Sequence, residues 1–253
     1  PTTLDSKETA FIPKIGGAIL NTSICLGRLG ANVGFLGAVS KDLFGEMIFE
    51  ELNNSKVNTS FCIETSNNTT LAFAKIANGT TTYSFFDENS SNRTICLKDV
   101  VLDDSVVDTI YVGGISLMTE PNGTEIENFI TKESSKKIVF YDPNVRPNFI
   151  EDRSLFIQRF EKILSQSDII KISEEDLEWL YPNGSFEEIY KQWLNLGLSI
   201  IVLTKGSEGA IIKTKNYEVT SRGEKVEVVD TIGAGDIFNG ALLYSLSKHK
   251  SFS

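Results

Sequence analysis

The stretch from Val226 to Leu246 constrains this chain most. It sets a strand, a Gly-Ala-Gly turn and a helix start side by side. The β-branched run Val226–Val229 reads as a strand, and Ile237, Ala241, Leu242 and Tyr244 to Leu246 recur with helical spacing. Gly233 and Gly235 allow a ligand to approach the backbone without a Cβ in the way. The free N–H groups of the helix's first turn then converge where the macrodipole favours negative charge, which makes an anion site. Asp236 stands in that site. A carboxylate where anions gather is costly unless it takes part in chemistry. The reading that follows is a base for a hydroxyl that attacks a phosphate held by those N–H groups.

Other phosphate-binding readings fail on the residues. Gly233-x-Gly235 opens a helix after a strand, as in a dinucleotide fingerprint, but Phe238 occupies the third glycine position. No G-x-x-x-x-G-K-[ST] run exists, so a P-loop is excluded. The formal charge of −10 argues against a nucleic-acid partner, and an anionic substrate must be caught by local features. No apolar run approaches 18 residues, so a membrane role is not expected. Cys25, Cys62 and Cys96 are far apart and odd in number, beside a single histidine, His249. Buried, reduced thiols in a cytoplasmic protein are expected, rather than a zinc site or a disulfide framework.

The chain in order alternates strands and helices. A helical pattern follows Gly16-Gly17 and stops at Gly30. Asn32–Val39 reads as a strand, and Asp42 caps a helix running to about Leu52. Leu71–Ile76 and Thr81–Phe86 joined through Asn78-Gly79 form a hairpin signal, a candidate lid. Strands are expected at Ile110–Val112, Lys137–Tyr141, Ile169–Ile172, Ser199–Leu203 and Ala210–Lys213, and helices at Leu155–Leu164, Ser173–Leu180 and Phe186–Leu196. The fold class is therefore α/β, a mostly parallel central sheet flanked by helices, with ligands at the carboxyl edge.

Asp230 to Leu243 resembles the C-terminal signature of the ribokinase-like sugar kinases, the PfkB family. Gly16-Gly17-Ala18-Ile19-Leu20-Asn21, then Gly27-Arg28-Leu29-Gly30 and Asp42-x-Phe44-Gly45, resembles its N-terminal signature. Gly113 to Leu117 with Glu120-Pro121, and Asp142 to Pro147, are similar to its bacterial fructokinase branch. The likeness covers nearly the whole chain in the family's order. It implies a single ribokinase-like domain over 1–253, with lid segments at about 4–14 and 61–95. It also implies a first strand before Pro1 and further helices after His249.

The resemblance implies roles as well. Asp236 matches the catalytic base, and Gly233, Ala234 and Gly235 the anion hole for the γ-phosphate. Gly16, Gly17 and Asn21 match sugar-contacting positions, and Asn144 and Arg146 positions near the sugar and the transferred phosphate. Lys171, Ser173, Thr204, Gly206 and Gly209 match nucleotide-binding positions. The Asp230 side chain and the Ile232 carbonyl match a monovalent-cation site, with K⁺ the candidate. Asp176 stands where the family has a glutamate that helps arrange Mg²⁺; a plain helix cap is the alternative for Ser173–Asp176. Asp87-Glu88-Asn89 reads equally as a lid segment closing over sugar and as a polar loop. The implied activity is ATP-dependent phosphorylation of a sugar hydroxyl, with fructose first and 2-keto-3-deoxygluconate or another sugar next. A non-catalytic sugar- or nucleotide-binding module is the reading from a different class. The implied partners are small molecules, sugar and ATP. A homodimer through the lid sheet is the further expectation, with Ala72, Ala74 and Ile76 as its apolar face.

Overall fold

The computed structural model describes residues 11–77, 80–227 and 231–248. The central sheet has six strands in the order β10-β9-β8-β7-β6-β5. These are β5 (Thr109–Gly113), β6 (Ile138–Asp142), β7 (Ile169–Ser173), β8 (Ile200–Thr204), β9 (Ala210–Lys213) and β10 (Glu218–Ser221). β5 to β8 are mutually parallel, and β9 and β10 run antiparallel at one edge. Val139, Phe140, Ile170, Ile172, Ile201 and Val202 are fully buried, as strands covered on both faces must be. The covering helices include α3 (Asn122–Glu133), α4 (Arg153–Leu164), α5 (Glu174–Leu180) and α6 (Phe186–Leu196). Their apolar stripes supply Phe129, Ile130, Phe156, Phe160, Ile163, Leu177, Ile189 and Trp193 to the core.

A second layer precedes the sheet in sequence. α1 (Ala18–Arg28) and α2 (Leu43–Asn54) flank a short parallel pair, β1 (Gly37–Ser40) with β2 (Cys62–Thr65). The expected strand from Asn32 starts later. Gly34 makes only an isolated bridge to Asn58, and the ladder begins at Gly37. β3 (Leu71–Ala77) and β4 (Thr80–Phe86) form the expected antiparallel hairpin, with Leu71 opposite Phe86 and Ala77 opposite Thr80. Its Asn78-Gly79 turn lies outside the described residues. Ala72 shares a face with Phe85, whose ring meets Phe149 at 4.5 Å. The larger aromatic surface is on the other face, where Phe73 touches Phe11 and Phe86 at 5.0 and 5.4 Å.

The last helix, α7 (Ala234–Lys248), packs on α1. Contact is close because Gly240 has no side chain; a Cβ there would sit 2.7 Å from the Cys25 sulfur. Val226 and Glu227 do not form the expected strand, and 228–230, with Asp230, lie outside the described residues. The thiols are less buried than expected: Cys25 is buried, Cys62 half-buried and Cys96 exposed, all free. Among the described residues no helix is long and apolar enough to cross a membrane.

Candidate active site

The carboxyl ends of the parallel strands bring Gly113, Asp142, Ser173 and Thr204 to one edge, with Gly113 opposite Asp142 and Ser173 opposite Thr204. Two helix N-termini arrive at the same edge. α1 begins after Gly17, whose φ of +118° suits glycine, and Ala18 lies 3.5 Å from where a Cβ on Gly114 would stand. α7 begins after Gly233, at φ +78°. Gly113 permits close packing there, since a Cβ would collide with the Asp142 carbonyl oxygen.

These helices set Asp236 and Asn21 against each other. The Asn21 Nδ2 donates to Asp236 Oδ2 at 2.7 Å across 215 positions of sequence. The Thr22 hydroxyl donates to the Asp236 carbonyl at 3.1 Å, which fixes the register of α7 on α1. A Cβ on Gly233 would stand 3.6 Å from Asn21 Nδ2 and 3.7 Å from Asp236 Oδ2, so the glycine turn adjoins the carboxylate. Gly16 and Gly17 are exposed, and no neighbour lies within 4 Å of a Cβ built on Gly16.

Burial lifts the Asp236 carboxyl above the usual carboxylate range. The Asn21 hydrogen bond opposes that rise, the negative Asp142 adds to it, and Lys171 and Arg146 oppose it. A carboxylate of raised basicity that still holds a hydrogen bond has the character of a general base.

Behind Asp236 lies a buried polar layer. The Lys171 ammonium pairs with Asp142 Oδ2 at 3.1 Å, and it stands 3.6 Å from where a Cβ on Gly235 would be. Asn239 is fully buried and donates through Nδ2 to Asp142 Oδ2 at 2.6 Å and to the Tyr111 hydroxyl at 2.9 Å. The other Asp142 oxygen accepts from the Asn144 N–H at 3.1 Å, closing an Asx turn in which Asn144 takes a φ of +42°. The turn carries the exposed Arg146, whose Nη1 donates to the Val145 carbonyl at 2.9 Å. Asp142, Asn239, Tyr111 and Thr22 hold this layer together, and sequence reading assigned none of them a role.

Asp176 is buried, and its Oδ1 accepts from the Val145 N–H at 3.0 Å. Burial raises its carboxyl, and Asp142 raises it further. Ser173 caps α5 by accepting from the Asp176 N–H at 3.1 Å. The segment is therefore a helix cap whose acidic residue also braces the Arg146 turn. Thr204 ends β8, and Gly206 at φ +54° has open space beside it. Gly209 is required by packing, because a Cβ would fall 2.0 Å from the Ser221 carbonyl oxygen. Ile232 is 60% exposed just before the turn. Among the described residues no group of three or more His, Cys, Asp or Glu could hold a metal ion.

The Asp87-Glu88-Asn89 segment lies apart from this edge. Asp87 is buried, accepts from the Thr70 and Ser90 hydroxyls and pairs with Arg93 at 2.7 Å, so it anchors the foot of the hairpin. A cavity of about 500 Å³ is lined by Glu88, Arg93, Cys96, Glu120 and Glu125 among others, and by none of the expected site residues.

A basic carboxylate beside a helix N-terminus and a buried ammonium, at the carboxyl edge of a parallel sheet, defines a phosphotransferase acting on a hydroxyl. The chain belongs to the pfkB family of carbohydrate kinases, whose model matches residues 4–253. It is 40% identical over 239 residues to a fructokinase of Rhizobium leguminosarum bv. trifolii, covering 94% of this chain and 73% of the relative. A solved fructokinase from Vibrio cholerae O395, in a fructose, ADP and calcium ion bound form, is 26% identical with a TM-score of 0.81, over 92% of this chain and 76% of that one. A fructokinase from Xylella fastidiosa with bound ATP matches the fold at a TM-score of 0.84 and 23% identity, over 92% and 74% of the two chains.

Proposed function

We propose that the chain is a fructokinase in which Asp236 removes the proton of a fructose hydroxyl as that oxygen attacks the γ-phosphate of ATP in line. One observation carries the reading: Asp236 is buried, raised in basicity and hydrogen-bonded to Asn21, one turn into the helix that follows the exposed Gly16 and Gly17. Asn21 holds the carboxylate in one orientation, so the base is positioned before substrate arrives. Gly233, Ala234 and Gly235 present the first turn of α7 to the transferred phosphoryl group, and Lys171 and Arg146 add positive charge. Thr204, Gly206, Gly209 and Ser173 form the floor along which the nucleotide lies. Mg²⁺ arriving with ATP would neutralise charge at the phosphates, and Asp176 would be the protein residue that helps hold it. Asp230 and Ile232 are the candidates for K⁺. The 40% identity to a named fructokinase favours fructose over other sugars. A cytoplasmic setting and pairing of two copies through the lid hairpin belong to the same reading.

The test is a coupled ADP-release assay over a panel of sugars, with Asp236→Asn as control. The expected result is turnover highest with fructose, and a fall of at least roughly 10²-fold in kcat in the variant while sugar binding survives. Near-normal turnover in Asp236→Asn sinks the base assignment. Turnover highest with 2-keto-3-deoxygluconate replaces the substrate, and no ADP with any sugar favours a binding module.

A further inference from the structure

We propose that Asp142 is a positioning residue for phosphoryl transfer, one carboxylate that locks the Arg146 turn with one oxygen and the Lys171 ammonium and α7 with the other. The proposal rests on the reading of Asp236 as the base. Asp142 itself is 1% exposed, so it acts through the groups it holds. Its Oδ1 accepts from Asn144 N–H at 3.1 Å, and its Oδ2 from Lys171 Nζ at 3.1 Å and Asn239 Nδ2 at 2.6 Å. Three chain segments far apart in sequence are thereby fixed to a single planar group. Two carry Lys171 and Arg146, the cations whose charge is felt at Asp236, and the third is α7, which bears Asp236 three residues before Asn239.

The ammonium gains most from this arrangement. Lys171 has four rotatable carbons and a compact charge, and nothing in its own chemistry fixes its head. The ion pair aims it at the Gly235 position, where the transferred phosphate would lie. A buried pair of this kind is held in place because an unpaired charge there is costly. The structure also offers a way to loosen only part of the hub. Asn239 Oδ1 is buried without a partner, so a flipped Asn239 amide can accept from an asparagine at position 142. Asp142→Asn then keeps the Asn144 turn and the α7 tie and removes the anchor of Lys171. Asp142→Ala removes all three.

The experiment measures kcat and KM for fructose and ATP in Asp142→Asn, Lys171→Met and the double variant, with thermal melting to confirm folding. Asp142→Asn is expected to lower kcat by about 10- to 100-fold, the loss typical of a misplaced catalytic group, with the fructose KM changed by less than about threefold. The double variant is expected to be no slower than Lys171→Met alone, because Asp142 acts through that ammonium. Asp142→Ala is expected to fall below Asp142→Asn. An unchanged kcat in Asp142→Asn, or losses that multiply in the double variant, overturns the proposal. Where Asp142→Asn does not fold, Asn239→Ala decides: a lower kcat at constant fructose KM supports the hub, and an unchanged kcat overturns it. Retained turnover in Asp236→Asn would instead overturn the base assignment, so the two failures are separable.

Discussion

At the residue scale, Asp236 is held in a compromise. Burial pushes its proton affinity up, and the Asn21 amide pulls it back with one 2.7 Å hydrogen bond. As the proposed base, Asp236 must be ionised to act, so kcat/KM, which reports the substrate-free enzyme, should fall on the acid side through a midpoint above the usual carboxylate range. Asn21→Ala removes the lowering contact and should move that acid limb to higher pH; a limb that stays put argues against the Asn21 contact in solution. The same shift carries a stability sign. A carboxyl whose folded proton affinity exceeds its unfolded one destabilises the fold once pH rises through its folded midpoint, and below its unfolded midpoint that cost is absent. Asp236→Asn removes an ionised carboxylate from a buried site and should therefore melt no lower than the parent at pH 7, while turnover collapses. A melting midpoint several degrees lower would show that the Asn21 bond outweighs the burial cost.

At the element scale, Asp42 joins two pieces of structure that the sequence shows separately. Its Oδ1 caps α2 by accepting from the Gly45 N–H at 2.9 Å, and its Oδ2 accepts from the Thr69 N–H at 2.7 Å, two residues before the lid strand β3. Burial alone would raise its carboxyl, but bonds from Thr69, Gly45 and Ser40 outweigh that and hold it at about 2. The stabilisation is complete above the unfolded value near ~4 and is lost as pH falls from there through about 2. Asp42→Ala should cost about 1–2 kcal/mol in denaturant unfolding at pH 7 and flatten the acid dependence between those values. A variant with the parent's pH profile would refute the account. The cap was legible because Asp42 precedes an apolar-periodic run, just as Gly197 at φ +110° ends α6 where the sequence placed its end. Three elements were not legible, for local reasons. β2 and β10 have four residues each, too few to show a period, and β10 is exposed throughout. α3 opens on Asn122-Gly123, which reads as a turn, yet Gly123 is needed there because a Cβ would strike the buried Arg159 guanidinium. The site divides the same way. Asp236, Asn21 and the glycines stand in contiguous motifs. The tie between Asp142 and Asn239 spans 97 positions and leaves no local pattern.

At the scale of the whole molecule, the net charge of −10 repels ATP, so capture depends on the few cations at the carboxyl edge. The β3–β4 hairpin bears on a different whole-molecule property, the proposed pairing of two copies. Phe11 and Phe86 are 72% and 62% exposed, and with Phe73 they form one aromatic face turned away from the Phe85–Phe149 contact. Such a face is a larger dimer surface than Ala72, Ala74 and Ile76 alone would offer. Two copies paired about a two-fold axis bury each ring twice, so every substitution counts twice. Burying a fully exposed phenylalanine is worth about 1.5–3 kcal/mol, so burying the 62% of Phe86 still exposed makes about 2–4 kcal/mol per dimer. At about 1.4 kcal/mol per tenfold, Phe86→Ser should weaken dimerisation by roughly 10- to 10³-fold. Sedimentation velocity over a concentration series should show a dimer for the parent and a monomer for Phe86→Ser at the same concentration. Because Phe86 lies outside the Asp236 edge, the monomeric variant should keep kcat and differ, if at all, in fructose KM through lid closure. A parent that is monomeric throughout the series, or a Phe86→Ser variant that remains dimeric, would remove the aromatic face from the pairing.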